Sequence, residues 1–201
     1  MEMMVSVVIL GLIATTSFVS LRASRQKDEL NTAVRLVAGD LRALQARALA
    51  AQNILTCMDS GTSLKIVCER STVSCFPSSC NPLPPFGVGF HAVKGATAYD
   101  LFADVDAGKN DWLETDASEI FLVRDIAKSG AQNVVINDLI TSVSLSSVEV
   151  SFQRQNGSMG ISGCYAPCSA PVALRIQLRH TQSGDVKEVA LNSYTGRISI
   201  Q

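Results

Sequence analysis

Two hydrophobic periods divide this chain. From Met3 to Leu21 the sequence is uncharged and mainly apolar. Beyond it, Leu30, Val34, Val37, Leu41, Leu44 and Ala48 recur at alternating steps of four and three, the spacing of one apolar stripe along a helix. Arg35, Asp40, Arg42, Gln45 and Arg47 fall largely off that stripe. No proline interrupts residues 2 to 53, and the only glycines there are Gly11 and Gly39, so the pattern predicts one continuous helix. At 1.5 Å per residue its length is roughly 75 Å, more than an ordinary globular domain needs. An anchor helix followed by a separate coiled-coil segment is the alternative reading of the same residues.

After Asn53 the period shortens to that of strands. "LKIVCE" (64–69), "GVGFHAV" (87–93), "AYDLFADV" (98–105), "EIFLVRDI" (119–126) and "NVVI" (133–136) each read as a strand. So do "SVEVSFQR" (147–154), "VALRIQLRH" (172–180), "VKEVALN" (186–192) and "GRISI" (196–200). Val172, Leu174, Ile176 and Leu178 alternate with Ala173, Arg175, Gln177 and Arg179, which predicts a strand with one buried and one wet face. Turn chemistry at "TQSGD" (181–185) and "YTG" (194–196) predicts an antiparallel meander for the last three strands. The proline-rich stretch "FPSSCNPLPPFG" (76–87) reads as loop. The expectation is an α+β fold: a helix over 1–53, with an apolar half (1–21) and an amphipathic half (22–53), then an antiparallel β domain over 54–201.

The apolar run is roughly 28 Å long as a helix, about one hydrocarbon core. Its flanks are unusual, because only Glu2 precedes it while Arg22, Arg25 and Lys27 follow. A cleaved secretory signal fits poorly: it lacks a basic leading region, and no small-x-small cleavage site stands out. A plain single-pass anchor with these flanks would leave the β domain in the cytoplasm. The stretch "EMMVSVVILGLIATTSFVSLRASRQKDELNTAVRLVAGDLRALQARALAAQN" closely resembles the N-terminal helix of type IV pilins and type II secretion pseudopilins. Those proteins carry a short basic leader, cut before an N-methylated residue, with a glutamate a few residues inside the cut. Glu2 matches that glutamate, which implies an assembly role and a leader and cleavage site encoded upstream of Met1. "AVRLVAGDLRALQARALAAQN" (33–53) and the closing "YTGRISI" are similar to the GspH/FimT minor pseudopilin family. The resemblance implies a pilin-like fold, with the long helix packed on the antiparallel sheet. It also implies other pilin-like subunits as partners, processing by the prepilin peptidase, and an inner-membrane location with the β domain periplasmic or extracellular in a filament.

Composition narrows the function classes. Apolar residues make up 47% and charged residues 17%, so a packed core is available and wholesale disorder is not expected. A net charge of −1 argues against a strongly basic, nonspecific nucleic-acid surface. The six cysteines, Cys57, Cys68, Cys75, Cys80, Cys164 and Cys168, lie beyond the apolar run and suit disulfides in an oxidising compartment. They allow fifteen connectivities; the local set Cys57–Cys68, Cys75–Cys80 and Cys164–Cys168 is the expectation. The spacings Cys75-x4-Cys80 and Cys164-x3-Cys168 depart from the tight pairs of structural zinc sites.

Candidate chemistry is sparse. Some DNA-binding members of the family that this chain resembles use a terminal Gly-Arg-x-Arg stretch; Gly196 and Arg197 match, but Ser199 stands at the second arginine. Arg197 alone is a weak phosphate contact, since affinity needs several cations; Arg175, Arg179 and Lys187 are the candidates for a separate basic patch. "DVDAGKNDWLETD" (104–116) sets Asp104, Asp106, Asn110 and Asp111 near Gly108, oxygen ligands of the kind Ca²⁺ takes, without EF-hand spacing. A bare acidic hairpin tip accounts for the same residues, and no cofactor is expected. His91 and His180, the only histidines, sit inside strand patterns, and no nucleophile elbow, phosphate loop or metalloprotease helix occurs. The sequence therefore points to a structural subunit of a type II secretion pseudopilus or type IV pilus and not to an enzyme. The alternatives are a filament-tip subunit that binds DNA or a surface, and an anchored periplasmic domain that never polymerises.

Overall fold

The computed structural model describes residues 2–58, 65–68, 81–105, 119–154, 158–162 and 173–201, with the side chains of 2–10, 12, 16, 58, 65, 66 and 162 outside that description. One α-helix, α1 (Glu2–Leu49), opens the chain, and antiparallel strands follow it, so the fold is α+β. The expected stripe is the buried one: Leu30, Val34, Val37, Leu41, Leu44 and Ala48 are all buried, together with Ala33 and Ala38 between them. Helix α1 stops at Leu49, four residues before the expected boundary. Two bonds close its end, from the Gln52 N–H to the Arg47 carbonyl and from the Ala51 N–H to the Ala48 carbonyl, both 3.2 Å. They require a left-handed residue after the last turn, and Ala51 adopts it with φ 47°.

The strands are β1 (Ile54–Met58), β2 (Lys65–Val67), β3 (Asn81–Leu83), β4 (Gly87–Val93), β5 (Ala98–Asp104), β6 (Ile120–Asp125), β7 (Val134–Ile140), β8 (Ser144–Leu145), β9 (Ser147–Gln153), β10 (Met159–Ser162), β11 (Ala173–His180), β12 (Val186–Asn192) and β13 (Arg197–Ile200). They form a small sheet ordered β2-β1-β3 and two five-stranded sheets, β10-β9-β4-β5-β6 and β13-β12-β11-β7-β8. The chain crosses between the large sheets at Ser146, the single residue separating β8 from β9. The sheets are also stitched by bonds from Gly95 N–H to the Ile136 carbonyl and from Ile136 N–H to the Ala96 carbonyl.

The meander β11-β12-β13 is present, with Leu174 opposite Leu191 and Leu191 opposite Ile198. Along β11 the even-numbered residues from Leu174 to His180 face inward and are buried. The proline-rich stretch is corrected: Asn81–Leu83 within it is a strand, with Pro82 paired to Leu55. Strand β3 lies at a sheet edge, where a proline removes no ladder bond that a further strand would need.

The second half of α1 packs against both five-stranded sheets, touching β4 and β9 of one and β7, β11, β12 and β13 of the other. The core is the shared interior of these three layers. Phe90 and Tyr99 meet there with ring centroids 4.9 Å apart.

Candidate functional site: the half-seated helix

Where α1 lies on the sheets, its off-stripe polar residues act as clasps. Asp40 sits beside Val37 and Leu41, which carry it to the rim of the buried stripe. Its Oδ2 accepts the Tyr99 hydroxyl at 2.7 Å and Arg124 Nε at 2.9 Å, and its Oδ1 accepts Arg124 Nη2 at 3.2 Å. Burial, followed by the neighbouring Asp40 carboxylate, holds the Tyr99 phenol well above its ordinary range. The Asp40 hydrogen bond keeps the Arg124 guanidinium charged.

A second clasp holds the opposite flank. Arg42 Nη2 donates to the Ile198 carbonyl and Gln45 Nε2 to the Gly196 carbonyl, each at 3.1 Å. Gly196 has φ 63°, and a Cβ there would stand 2.7 Å from Gln45 Nε2, so the turn before β13 and the helix approach each other through a glycine. Arg47 lies over the Phe121 ring, 5.3 Å from its centroid.

The third clasp marks the point where the helix leaves the body. Glu29 Oε2 accepts the Asn133 backbone N–H and Nδ2, both at 3.3 Å, and lies 3.6 Å from His180 Nε2. His180 is fully buried, and its Nδ1 accepts the Ser183 N–H at 3.2 Å, which leaves its ring proton on Nε2, facing Glu29. Leu30, one residue on, is the first buried residue of α1 among the described side chains. N-terminal to Glu29 the described side chains, apart from the half-buried Gln26, are exposed: Ile13 is 57% accessible, Phe18 74%, Val19 71% and Leu21 60%.

The sequence-predicted residues distribute as follows. Glu2 belongs to α1, and its side chain lies outside the described residues. Cys57 and Cys68 are both disulfide-bonded, and the register sets Cys57 opposite Ile66; Cys75, Cys80, Cys164 and Cys168 lie outside the described residues. Asp104 ends β5, while Asp106, Asn110 and Asp111 fall outside the description. Among the described residues no group of three or more His, Cys, Asp or Glu side chains could hold a metal ion. Arg197 opens β13 on the outer face of its sheet, exposed, with Arg175 and Arg179 also on that face. The proposed basic patch needs one correction: Lys187 points to the other face, where it donates to Asn31 of α1, because its partner in the register is the inward-facing Leu178. Arg175 faces Glu188 at 3.9 Å. His91 pairs with Asp100 across β4 and β5, with Nδ1 to Oδ2 at 3.5 Å.

Sequence reading missed the clasps. His180 carried a usable signal, since it is in phase with Leu174, Ile176 and Leu178 and must face inward with them. Among the described residues no helix is long and apolar enough to cross a membrane. No protein-family model, curated protein or solved structure matches the chain.

Proposed function

We propose that this chain is a minor pseudopilin or minor pilin, a structural subunit of a type II secretion pseudopilus or a type IV pilus. One observation carries the reading. A single unbroken helix is seated by its second half in a bed of two sheets, while its first half leaves the body with exposed Ile13, Phe18, Val19 and Leu21. A globular protein gains nothing from displaying such residues along an extended helix. A subunit that inserts the same segment first in a bilayer and then among neighbouring helices buries them twice. The unseated half is the assembly element, and the β domain is its periplasmic or extracellular cargo.

Glu2 supplies register. A carboxylate at the edge of an apolar helix costs about 2.5–3.5 kcal/mol at mid-bilayer on insertion scales, unless it stays at the interface or meets a cation. In this reading the cation is the free amino terminus of an adjacent subunit, exposed by the prepilin peptidase. The partners are other pilin-like helices and the inner membrane, the chain carries no cofactor, and nucleic acid is not its ligand.

The test replaces Glu2 with Ala or Leu in the full-length precursor. Membrane insertion and the circular dichroism of the β domain stay as in the wild type, while cross-linking to neighbouring pilin-like subunits falls. Wild-type levels of cross-linking in the substituted protein would refute the role of Glu2 and favour a plain anchored domain.

A further inference from the structure

We propose that Arg22, Arg25 and Lys27 form a cationic collar that docks on the anionic headgroups of a phospholipid bilayer. The inference rests on the assembly-subunit reading, in which the apolar half of α1 occupies a membrane before it enters a filament. It adds a lipid-recognising surface and a fixed height for the β domain.

The first observation is the groove along the exposed helix, lined by Phe18, Val19, Leu21, Arg22 and Arg25. Phe18, Arg22 and Arg25 follow at steps of four and three, so they share a helix face. Side chains on a helix lean toward its N-terminus, which carries both arginine stems back over the apolar residues. Aliphatic stems on apolar surface with guanidinium groups at its margin is the arrangement long cationic side chains adopt at a membrane interface.

Charge and length agree with this occupant. Among the described residues, none of the three cations is in an ion pair. The first acids after the apolar run are Asp28 and Glu29, and Glu29 is turned to the body by Asn133. From Leu21, the last large exposed apolar residue ahead of the seat, to Leu30, the first buried one among the described side chains, the helix rises about 13 Å. Residues 22 to 27 cover about 8 Å of that rise. One headgroup layer is about 5–8 Å thick. The cations therefore span the headgroups, and the Glu29 clasp holds the β domain just above them. A second copy of the chain would present its own Arg22, Arg25 and Lys27 at the same level if packed in parallel, so like charges disfavour that occupant at the collar.

The experiment uses the full-length chain, diluted from mild nonionic detergent into preformed vesicles and followed by flotation. One set of vesicles is pure phosphatidylcholine; the other is a phosphatidylcholine–phosphatidylglycerol mixture. Each cation near an anionic surface favours uptake by about fivefold, so the wild type should prefer the anionic vesicles on the order of a hundredfold, less at high salt. The variant R22Q/R25Q/K27Q should lose that preference while keeping its uptake by pure phosphatidylcholine. R35Q, on the seated half, should keep the preference. Equal uptake of the wild type by both vesicles overturns the collar and leaves the anchor reading standing. Uptake by neither overturns the collar together with the membrane-entering half of the assembly reading. Cross-linking between collars of two copies without lipid, with no headgroup preference, assigns these cations to a protein contact and also overturns the proposal.

Discussion

Asp40→Ala is the most informative single change in the seat of the helix. One carboxylate on α1 accepts from Tyr99 on β5 and twice from Arg124 on β6. Hydrogen bonds to a charged group contribute about 1.5–3 kcal/mol each, but three on one carboxylate are not additive. The Arg124 side chain is 36% accessible, so water recovers part of that pair when it is broken. The Tyr99 hydroxyl is different: the residue is buried, and an unsatisfied donor in such a place costs about 1–3 kcal/mol. The sum is about 3 kcal/mol, a large share of the roughly 5–15 kcal/mol that holds a domain folded. At roughly 2–4 °C per kcal/mol for a chain of this size, the transition falls by about 10 °C. Tyr99→Phe removes the donor together with its need and should cost only about 1 kcal/mol. Asp40→Ala in the Tyr99→Phe background should therefore cost less than in the wild type, with a coupling of about 1–2 kcal/mol. Urea denaturation of the oxidised full-length chain in nonionic detergent, followed by circular dichroism, measures all four proteins. A loss below about 0.5 kcal/mol for Asp40→Ala, or additivity within about 0.3 kcal/mol, would refute the clasp.

Other changes test separate parts of the fold. Ala51→Gly should stabilise by about 0.5–1 kcal/mol in the same denaturation assay, because the left-handed φ at this helix end strains an alanine more than the flexible glycine costs in the unfolded chain. A lower midpoint would contradict it. Gly89→Ala should destabilise by about 3 kcal/mol, since the new Cβ would overlap the tip of the Phe102 ring that lies on Gly89, and Phe102→Leu should recover part of the loss. Tyr99 also gives a pH signature. Its folded pKa is raised above the unfolded value near 10, so the stabilisation is complete below pH 10 and declines as pH rises beyond it. Denaturation midpoints between pH 9 and 11.5 should fall more steeply in the wild type than in Tyr99→Phe; parallel curves would count against it.

The helix stripe and the long strands were legible because each repeats its period over several residues. Val88, Phe90 and Ala92 on β4, and Leu174, Ile176 and Leu178 on β11, declare an inward face without help from any other segment. Strands β1, β8 and β10 did not declare themselves. They run two to five residues, too few for alternation to show, and β10 carries Gly160 besides. Strand β3 was hidden by Pro82, whose placement at an edge is a property of the sheet and not of the local sequence. The division into two large sheets was also illegible, since it turns on the single residue Ser146. Asp40 stood out as an acid beside an apolar stripe, but its partners are 59 and 84 residues away.

The bonds from Arg42 and Gln45 to β13 give the helix a further duty. The Ile198 and Gly196 carbonyls lie on the free margin of the last strand, where another chain's strand would attach. Helix α1 occupies that margin with side chains 156 and 151 residues earlier in sequence. The margin is therefore sealed only when the first helix and the last strand are both present. During synthesis the helix emerges long before the strand it guards, and its own apolar bed is incomplete until the end of the chain arrives. A truncation that starts after Leu49 would keep every strand yet leave this margin unguarded, and strand-to-strand aggregation would follow. A soluble form for crystallisation should begin no later than Glu29.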